Sequence, residues 1–383
     1  MSYTANAPLL PRSDASWFTE WRRTLDWGLV AGAVILMGVG LLMSLAAGPA
    51  AAARYGQQDS YFFVYRQAIM AGAGFAVLIG VSALDRKWAR RFAALIFAAG
   101  LSLMMVILLF GHEVGGAQRW LRIFGVTVQP SEMVKPALIL LSGWLLAQRE
   151  IYPKGPWALV AFLFYAATLG LLLLQPDVGQ SVLLTVAFLT VFFVSGMPKR
   201  WIAVFAAGGA ALAVTLYTVF DYVRHRVDMI FSPQGLDRFQ IDRAAEAISR
   251  GGLFGVGPGE GLVKARLPDA HTDFIFAVMA EEFGLVAIVA LMAVYAMMSI
   301  RGFRAAARIE DGYARAAAAG LFTLFGLQAA INIGVNLAVL PPTGMTLPFV
   351  SYGGSSMMGM GLTLGLALAL VRGEGTRNRG RYG

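Results

Sequence analysis

Apolar residues fall in blocks of near-membrane length along this chain, separated by short clusters of charge, glycine and proline. About 20 apolar residues make an α-helix long enough to cross the ~30 Å hydrocarbon core of a bilayer. The blocks place ten spans, near residues 27–47, 66–84, 92–110, 131–147, 157–174, 180–196, 201–220, 273–299, 314–340 and 347–371. The fourth and sixth are short with Gly or Pro at their ends, which predicts irregular helices. Nothing resembles the series of about ten-residue alternating segments of a transmembrane barrel. The pattern predicts an all-α polytopic membrane protein, with residues 1–383 as one integral membrane domain.

Composition agrees: of 383 residues, 58% are hydrophobic and 14% charged, against roughly a quarter charged in soluble domains. The absence of cysteine excludes disulfides, thiolate metal sites and a cysteine nucleophile. His112, His225 and His271 are too widely spaced for a helical metal motif. The net charge of +9 sits in basic residues flanking apolar runs, which suits anionic lipid and not nucleic acid. Residues 1–26 lack the pattern of a removable signal peptide, so the first span is expected to direct insertion. With both termini inside, nineteen of the 31 Lys and Arg residues are cytoplasmic, as the positive-inside rule requires. This orientation makes 1–26 and 372–383 cytoplasmic and 221–272 a large extracytoplasmic loop between spans seven and eight. Within that loop "DRFQIDRAAEAISRGG" reads as an amphipathic helix ended by glycine.

The glycines of "GVGPGEGLVKARLPDAHTD" (255–273) are spaced like a phosphate-cradling loop. Such a loop needs a strand before it and a helix after it, and no strand precedes this one. These glycines are read as sites of tight turning and close backbone approach.

At the eighth span, Asp273, Ala277, Glu281 and Gly284 form one helical stripe, with Glu281 about 12 Å deeper than Asp273. A charge near the bilayer centre costs at least ~2.5–3.5 kcal/mol, so it must face protein or water. Asp273 suits an N-cap, as Thr272 does, or a functional acid. Glu281 and Glu282 read as acids held in interhelical ion pairs with cationic partners. In "QPSEMVKP", Glu132 and Lys135 stand at i, i+3. They form an internal salt bridge, or join Arg119 and Arg122 of "GGAQRWLRIFG" in binding an anion such as pyrophosphate. Gln328, Asn332 and Asn336 make an i, i+4, i+8 amide ladder of the kind that glues transmembrane helices. Asp177 in "QPDVGQ" is read as a turn and cap residue. "LPPTGMTLPFVSYGGSS", with Ser351, puts irregular backbone at outer membrane depth, where it must be buried in protein or line a cavity. These motifs converge on one end of the bundle.

"GGAQRWL…QPSEMVK", "QPDVGQS", "ISRGGLFGVGPGEG", "LPDAHTDFIFAVMAEEFG" and "NIGVNLAVLPPTGMTLPFVSYGGSS" together resemble the SEDS family, the FtsW/RodA polytopic proteins of bacterial wall synthesis. "FGLQAAINIGVNL" followed by "TGMTLPFVSYGGSS" is closer to the division branch than to the elongation branch. The resemblance implies ten spans and a peptidoglycan glycosyltransferase that polymerises lipid II at the outer face of the inner membrane, for septal wall synthesis. It implies that Asp273 is the essential acidic residue of catalysis, and it points to Arg119, Glu132 and Lys135 at the substrate or pyrophosphate. Lys264, Arg266 and His271 are expected near the same mouth. Lys264 and Arg266 precede "LP" where some relatives carry an acid, so no role of that acid is transferred. The implied partners are a class B penicillin-binding protein (a transpeptidase) and division-site proteins.

Joining a 4-hydroxyl to an α-linked donor with inversion needs one general base, because pyrophosphate leaves readily. Asp273 is expected to take the proton. Arg119, Lys135 or Lys264, with or without a divalent cation such as Mg or Mn, would stabilise the pyrophosphate. No other cofactor is implied. Two other readings remain open: a lipid II flippase and a non-catalytic scaffold for a transpeptidase.

Overall fold

The computed structural model describes residues 17–372 except 111, 115–116, 124–125, 199, 220–223, 225–227 and 229–235. The tail 373–383, residues 1–16, His225 and much of the first part of the 221–272 loop lie outside the described residues. A short helix, α1 (Trp17–Thr24), precedes α2 (Trp27–Arg54), α3 (Phe62–Ser82) and α4 (Arg86–Phe110). There follow α5 (Ser131–Ile151), α6 (Trp157–Leu174), α7 (Val178–Val194) and α8 (Arg200–Val219). The remaining helices are α9 (Leu236–Gly251), α10 (Ile275–Ala307), α11 (Gly312–Asn336) and α12 (Gly354–Val371).

Seven of the described helices (α2, α3, α4, α6, α10, α11 and α12) are long and apolar enough to cross a membrane, and α7 is apolar but only 17 residues long. Helices α5 and α8 stand at the other two apolar blocks.

Helices α5, α11 and α12 form the centre, buried on nearly every side. This explains how α5 tolerates Glu132 and Lys135, which are 3% and 1% exposed: protein surrounds them, not lipid. Helix α12 packs against α3, α5 and α11, and α11 packs against α5, α7 and α10. Small residues let the backbones approach: a Cβ on Gly361 of α12 would lie 2.3 Å from the Gly74 carbonyl of α3.

The all-α expectation is corrected by a small antiparallel sheet between α4 and α5. It consists of β1 (His112–Val114), β2 (Ala117–Ile123) and β3 (Val126–Val128), in the order β1-β2-β3. Leu121 pairs with Val128 and Ile123 with Val126. Alternation in "RWLRI" and β-branched "VTV" favour strand, but blocks of twenty residues do not register strands of three to seven.

The irregularity expected in the fourth and sixth blocks is found in the eighth. Helices α5 and α7 run unbroken, whereas α10 starts at Ile275 and breaks at Gly284 (φ 77°, ψ −175°). The incoming loop takes up the freed backbone groups. Val256 N and Gly257 N donate to the Glu281 and Glu282 carbonyls (2.9 and 3.1 Å). Leu285 N and Val286 N donate to the Gly252 and Leu253 carbonyls (2.9 and 3.2 Å). Before the break, residues 275–282 are all buried. After it, Ile288, Leu291, Tyr295 and Met298 face the bundle while Leu285, Val286, Val289 and Met292 are exposed, the one-sided pattern of a lipid-facing helix. Helix α9 covers the N-terminal part of α10, with Ala244 and Ala247 fully buried. At its end, a Cβ on Gly251 would lie 1.9 Å from the Ala280 carbonyl.

Gly284→Ala would put a Cβ 2.4 Å from Gly255 N and 2.5 Å from the Leu253 carbonyl at positive φ. Its expected cost is about 1–3 kcal/mol, read as a clear drop in melting temperature in detergent. Gly38→Ala on the exposed face of α2, with nothing within 4 Å of the new Cβ, is expected to leave that temperature unchanged.

Candidate active site

The amide stripe of α11 bonds irregular backbone on two sides, where the sequence suggests helix-to-helix glue. Asn332 Nδ2 donates to the Asp273 carbonyl (2.8 Å) and the Met345 carbonyl (2.7 Å). Asn336 Nδ2 donates to the same Asp273 carbonyl (3.0 Å), while its Oδ1 accepts from Ala277 N (3.1 Å). One turn further in, Gln328 Nε2 donates to the Thr346 carbonyl (3.0 Å). The loop before α12 closes the other side. Ser351 Oγ donates to the Thr272 carbonyl (2.6 Å) and accepts from Leu347 N (2.8 Å), and Tyr352 N donates to the His271 carbonyl (3.0 Å). Residues 271–273 are thus fixed through three successive carbonyls.

Fixing the backbone leaves the Asp273 side chain available. Phe274 occupies the N-cap position of α10, without a side-chain cap bond. The Asp273 carboxyl instead lines a cavity of about 260 Å³ with Gln240 of α9, Asp269, Asn332, Thr343 and Gly344. Asp273 belongs to the turn ahead of α10, outside the membrane-spanning segment. Burial, reinforced by Asp269 and then opposed by Arg119, pushes its pKa from 3.8 to about 7, with Asp177 adding a smaller upward push. Gly344 (φ 68°) makes room: a Cβ there would lie 4.0 Å from both Arg119 Nη1 and Asp273 Oδ2.

Arg119 reaches this point from β2. Its Nε donates to the Gln175 carbonyl (3.0 Å), its Nη2 to the Pro176 carbonyl, and its Nη1 lies 3.5 Å from Asp177 Oδ2. Asp177 caps α7 by accepting from Gln180 N (3.3 Å) and also receives Gln129 Nε2 (3.4 Å). Burial raises its pKa and Arg119 opposes the rise.

Other expected site residues lie elsewhere. Lys135 Nζ donates to Glu132 Oε1 (3.0 Å) and to Gln180 Oε1, and Gln180 Nε2 donates to Glu132 Oε1 (2.8 Å). This closed, buried triad does not line the cavity. Glu281 and Glu282 are both ion-paired: Glu281 with Arg250 of α9, the interhelical pair expected, and Glu282 with Lys264 of the loop that the break at Gly284 draws against them. Glu281 Oε1 accepts from Leu262 N (2.9 Å) and Val263 N (3.1 Å), with Arg250 Nε at 3.9 Å. Glu282 Oε1 receives Lys264 Nζ (2.5 Å), which also donates to the Gly259 carbonyl (2.9 Å). Arg266 is exposed. His271 packs among Tyr55, Phe63 and Tyr352 at centroid distances of 5.9, 4.9 and 5.5 Å, and burial lowers its pKa. The side chain of Arg122 lies outside the described residues.

Asp269, Gln240, Gln180 and Arg54 escaped the sequence reading. Arg54 donates to the Leu267 carbonyl (2.8 Å) and the Ala265 carbonyl (2.7 Å), holding the loop to the end of α2. Asp269 carried a signal in "DAHTD", two acids four apart, and Gln180 carried one as a polar residue in an apolar helix. Among the described residues, no three of His, Asp and Glu gather as a metal ion would need.

The comparison that decides the family is a match between residues 27–374 and the family model described as cell cycle protein, which groups FtsW, RodA and SpoVE. The chain belongs to the FtsW/RodA/SpoVE family. Its FtsW/RodA relatives align along nearly its whole length. The probable peptidoglycan glycosyltransferase FtsW of Caulobacter vibrioides is 46% identical over 374 residues, covering 97% of this chain and 94% of the relative. The protein of the same description from Nitrosomonas europaea is 34% identical over 90% and 92%. A solved chain from a peptidoglycan synthase complex that coordinates polymerization and crosslinking superposes with a TM-score of 0.75 at 30% identity, covering 91% and 98%. The rod shape determining protein RodA of Thermus thermophilus superposes with a TM-score of 0.66 at 30% identity, over 91% and 97%.

Asn336→Ala removes one donor from the Asp273 carbonyl and the acceptor from Ala277 N. The expected cost is about 1–3 kcal/mol. Hydrogen exchange should show it as faster amide exchange around residues 274–278, while Arg266→Ala leaves exchange unchanged there.

Proposed function

We propose that this chain polymerises lipid II at the extracytoplasmic face of the cytoplasmic membrane, for septal wall synthesis. By family and by full-length relatives it is a peptidoglycan glycosyltransferase. The observation that carries the finer reading is Asp273, a half-buried acid with its pKa raised to about 7, lining a cavity that Arg119 approaches.

In the proposed step, Asp273 accepts the proton of the acceptor 4-hydroxyl. The freed oxygen pair forms the new bond to the donor C1 from the face opposite the leaving group. The C1–O bond to phosphate breaks, and its electron pair leaves with undecaprenyl pyrophosphate. Configuration inverts, and the pyrophosphate needs no strong acid to depart. Arg119 is the cation best situated to meet developing negative charge near the acid. Both substrates are lipid-linked, so confinement to one leaflet favours their alignment.

The topology that serves this reaction has ten crossings with both termini cytoplasmic, 1–26 and 372–383 inside and 221–272 outside, as the Lys and Arg distribution supports. A class B penicillin-binding protein and division-site proteins are the proposed partners. The clustering of Asp273, Arg119 and Asp177 at one end of the bundle favours glycosyl transfer over a flippase, which needs polar groups open to both faces.

Purified Asp273→Ala is expected to fold, with an unchanged melting temperature, and to form no glycan polymer from lipid II. Full polymerisation by that variant would remove Asp273 as the base. A base with pKa raised to about 7 works only when deprotonated. The rate of the wild type should therefore climb as pH rises through about 7, instead of through the ordinary carboxylate range near 4.

A further inference from the structure

Asp273 shares its cavity with a second carboxylate, Asp269. The turn joining them is set by the Asp269 carbonyl, which accepts from Thr272 N (3.1 Å), Phe274 N (3.2 Å) and Thr272 Oγ1 (3.1 Å). Asp269 holds φ 53°, a left-handed backbone that Asp and Asn tolerate better than other side chains. The deeper acids Glu132, Glu281 and Glu282 each accept from a cation or from amides. Among the described residues no donor reaches the carboxylate of Asp269 or Asp273. Arg54, the cation beside this loop, donates to the Leu267 and Ala265 carbonyls.

We propose that Asp269 is a positioning residue for the proton transfer, acting through Asp273: the second carboxylate keeps the first able to hold the proton of the acceptor hydroxyl. The inference rests on the reading of Asp273 as the base. Its physical ground is that two half-buried acids lining one cavity oppose each other's ionisation. The charged groups acting on Asp273 are Arg119 from β2, Asp177 ahead of α7, and Asp269 on its own segment, of which Asp269 acts most strongly. Asp269 also acts on Tyr55 and His271, two groups on which Arg54 acts in the opposite sense. Asp269 exchanges no proton with the substrates. The proton leaves the acceptor oxygen for Asp273, and the electron pair of the broken C1–O bond leaves with pyrophosphate.

The test is the pH–rate profile of lipid II polymerisation by the purified full chain, in wild type, Asp269→Asn and Asp269→Glu. Asn retains the left-handed turn, so folding is expected to survive, and Asp269→Ser carries the same test if it does not. In Asp269→Asn the acidic limb should move down by on the order of one pH unit, and the plateau kcat should fall a few-fold as the base weakens, with KM little changed. Asp269→Glu should keep the wild-type limb. Infrared titration of the carboxyl band that disappears in Asp273→Asn gives a readout independent of turnover, and that band should titrate lower in Asp269→Asn. An unmoved limb and band overturn the proposal. Loss of polymerisation at every pH with an unmoved band overturns it in favour of direct substrate contact by Asp269. A fully active Asp273→Asn is a different failure, which removes the base itself.

Discussion

One carbonyl, that of Asp273, receives two side-chain amides from α11, and the geometry of the site follows from it. Irregular backbone within a helical bundle has no water to satisfy it, so each turn needs its own donor or acceptor. Asn332 and Asn336 meet that need for the turn ahead of α10 and for the loop ahead of α12 at once. Ser351 and Tyr352 complete it from the other side. With its main chain held in this way, Asp273 presents its carboxyl to the cavity in a conformation that packing, not hydration, selects.

Charge is distributed by the same economy of partners. Glu132 and Lys135 neutralise each other with Gln180 between them, and Lys264 neutralises Glu282. Glu281 is held by main-chain amides, which stabilise a carboxylate as a helix N-terminus does. These groups stiffen the framework. Arg119 differs: two backbone carbonyls and Asp177 orient it while one face remains near Asp273 and Gly344.

Which parts were legible follows from the range of each signal. The helices were readable because crossing a bilayer demands a long local run of apolar residues. The α11 stripe was readable as spacing, yet its partners were not, because spacing says which residues share a face and not what faces them. The break at Gly284 was hidden in "EEFGLVAIV", an apolar run with one glycine, and its cause lies some thirty residues earlier in the loop that supplies replacement hydrogen bonds. His271 and Lys264 were expected at the mouth by proximity in sequence to Asp273, but an aromatic cluster and a glutamate draw their side chains elsewhere.

The interruption of α10 has a mechanical side. On the N-terminal side of Gly284 the helix is bound to α9, the 252–263 loop and α11. On the C-terminal side Leu285 N and Val286 N still bond that loop, while the side chains of Leu285, Val286 and Val289 are exposed. A helix that meets a bilayer of unmatched thickness responds by tilting, at a modest cost per ångström. Loop bonds on both sides of Gly284 tie the two segments together, so such a tilt would have to carry the loop and both segments with it.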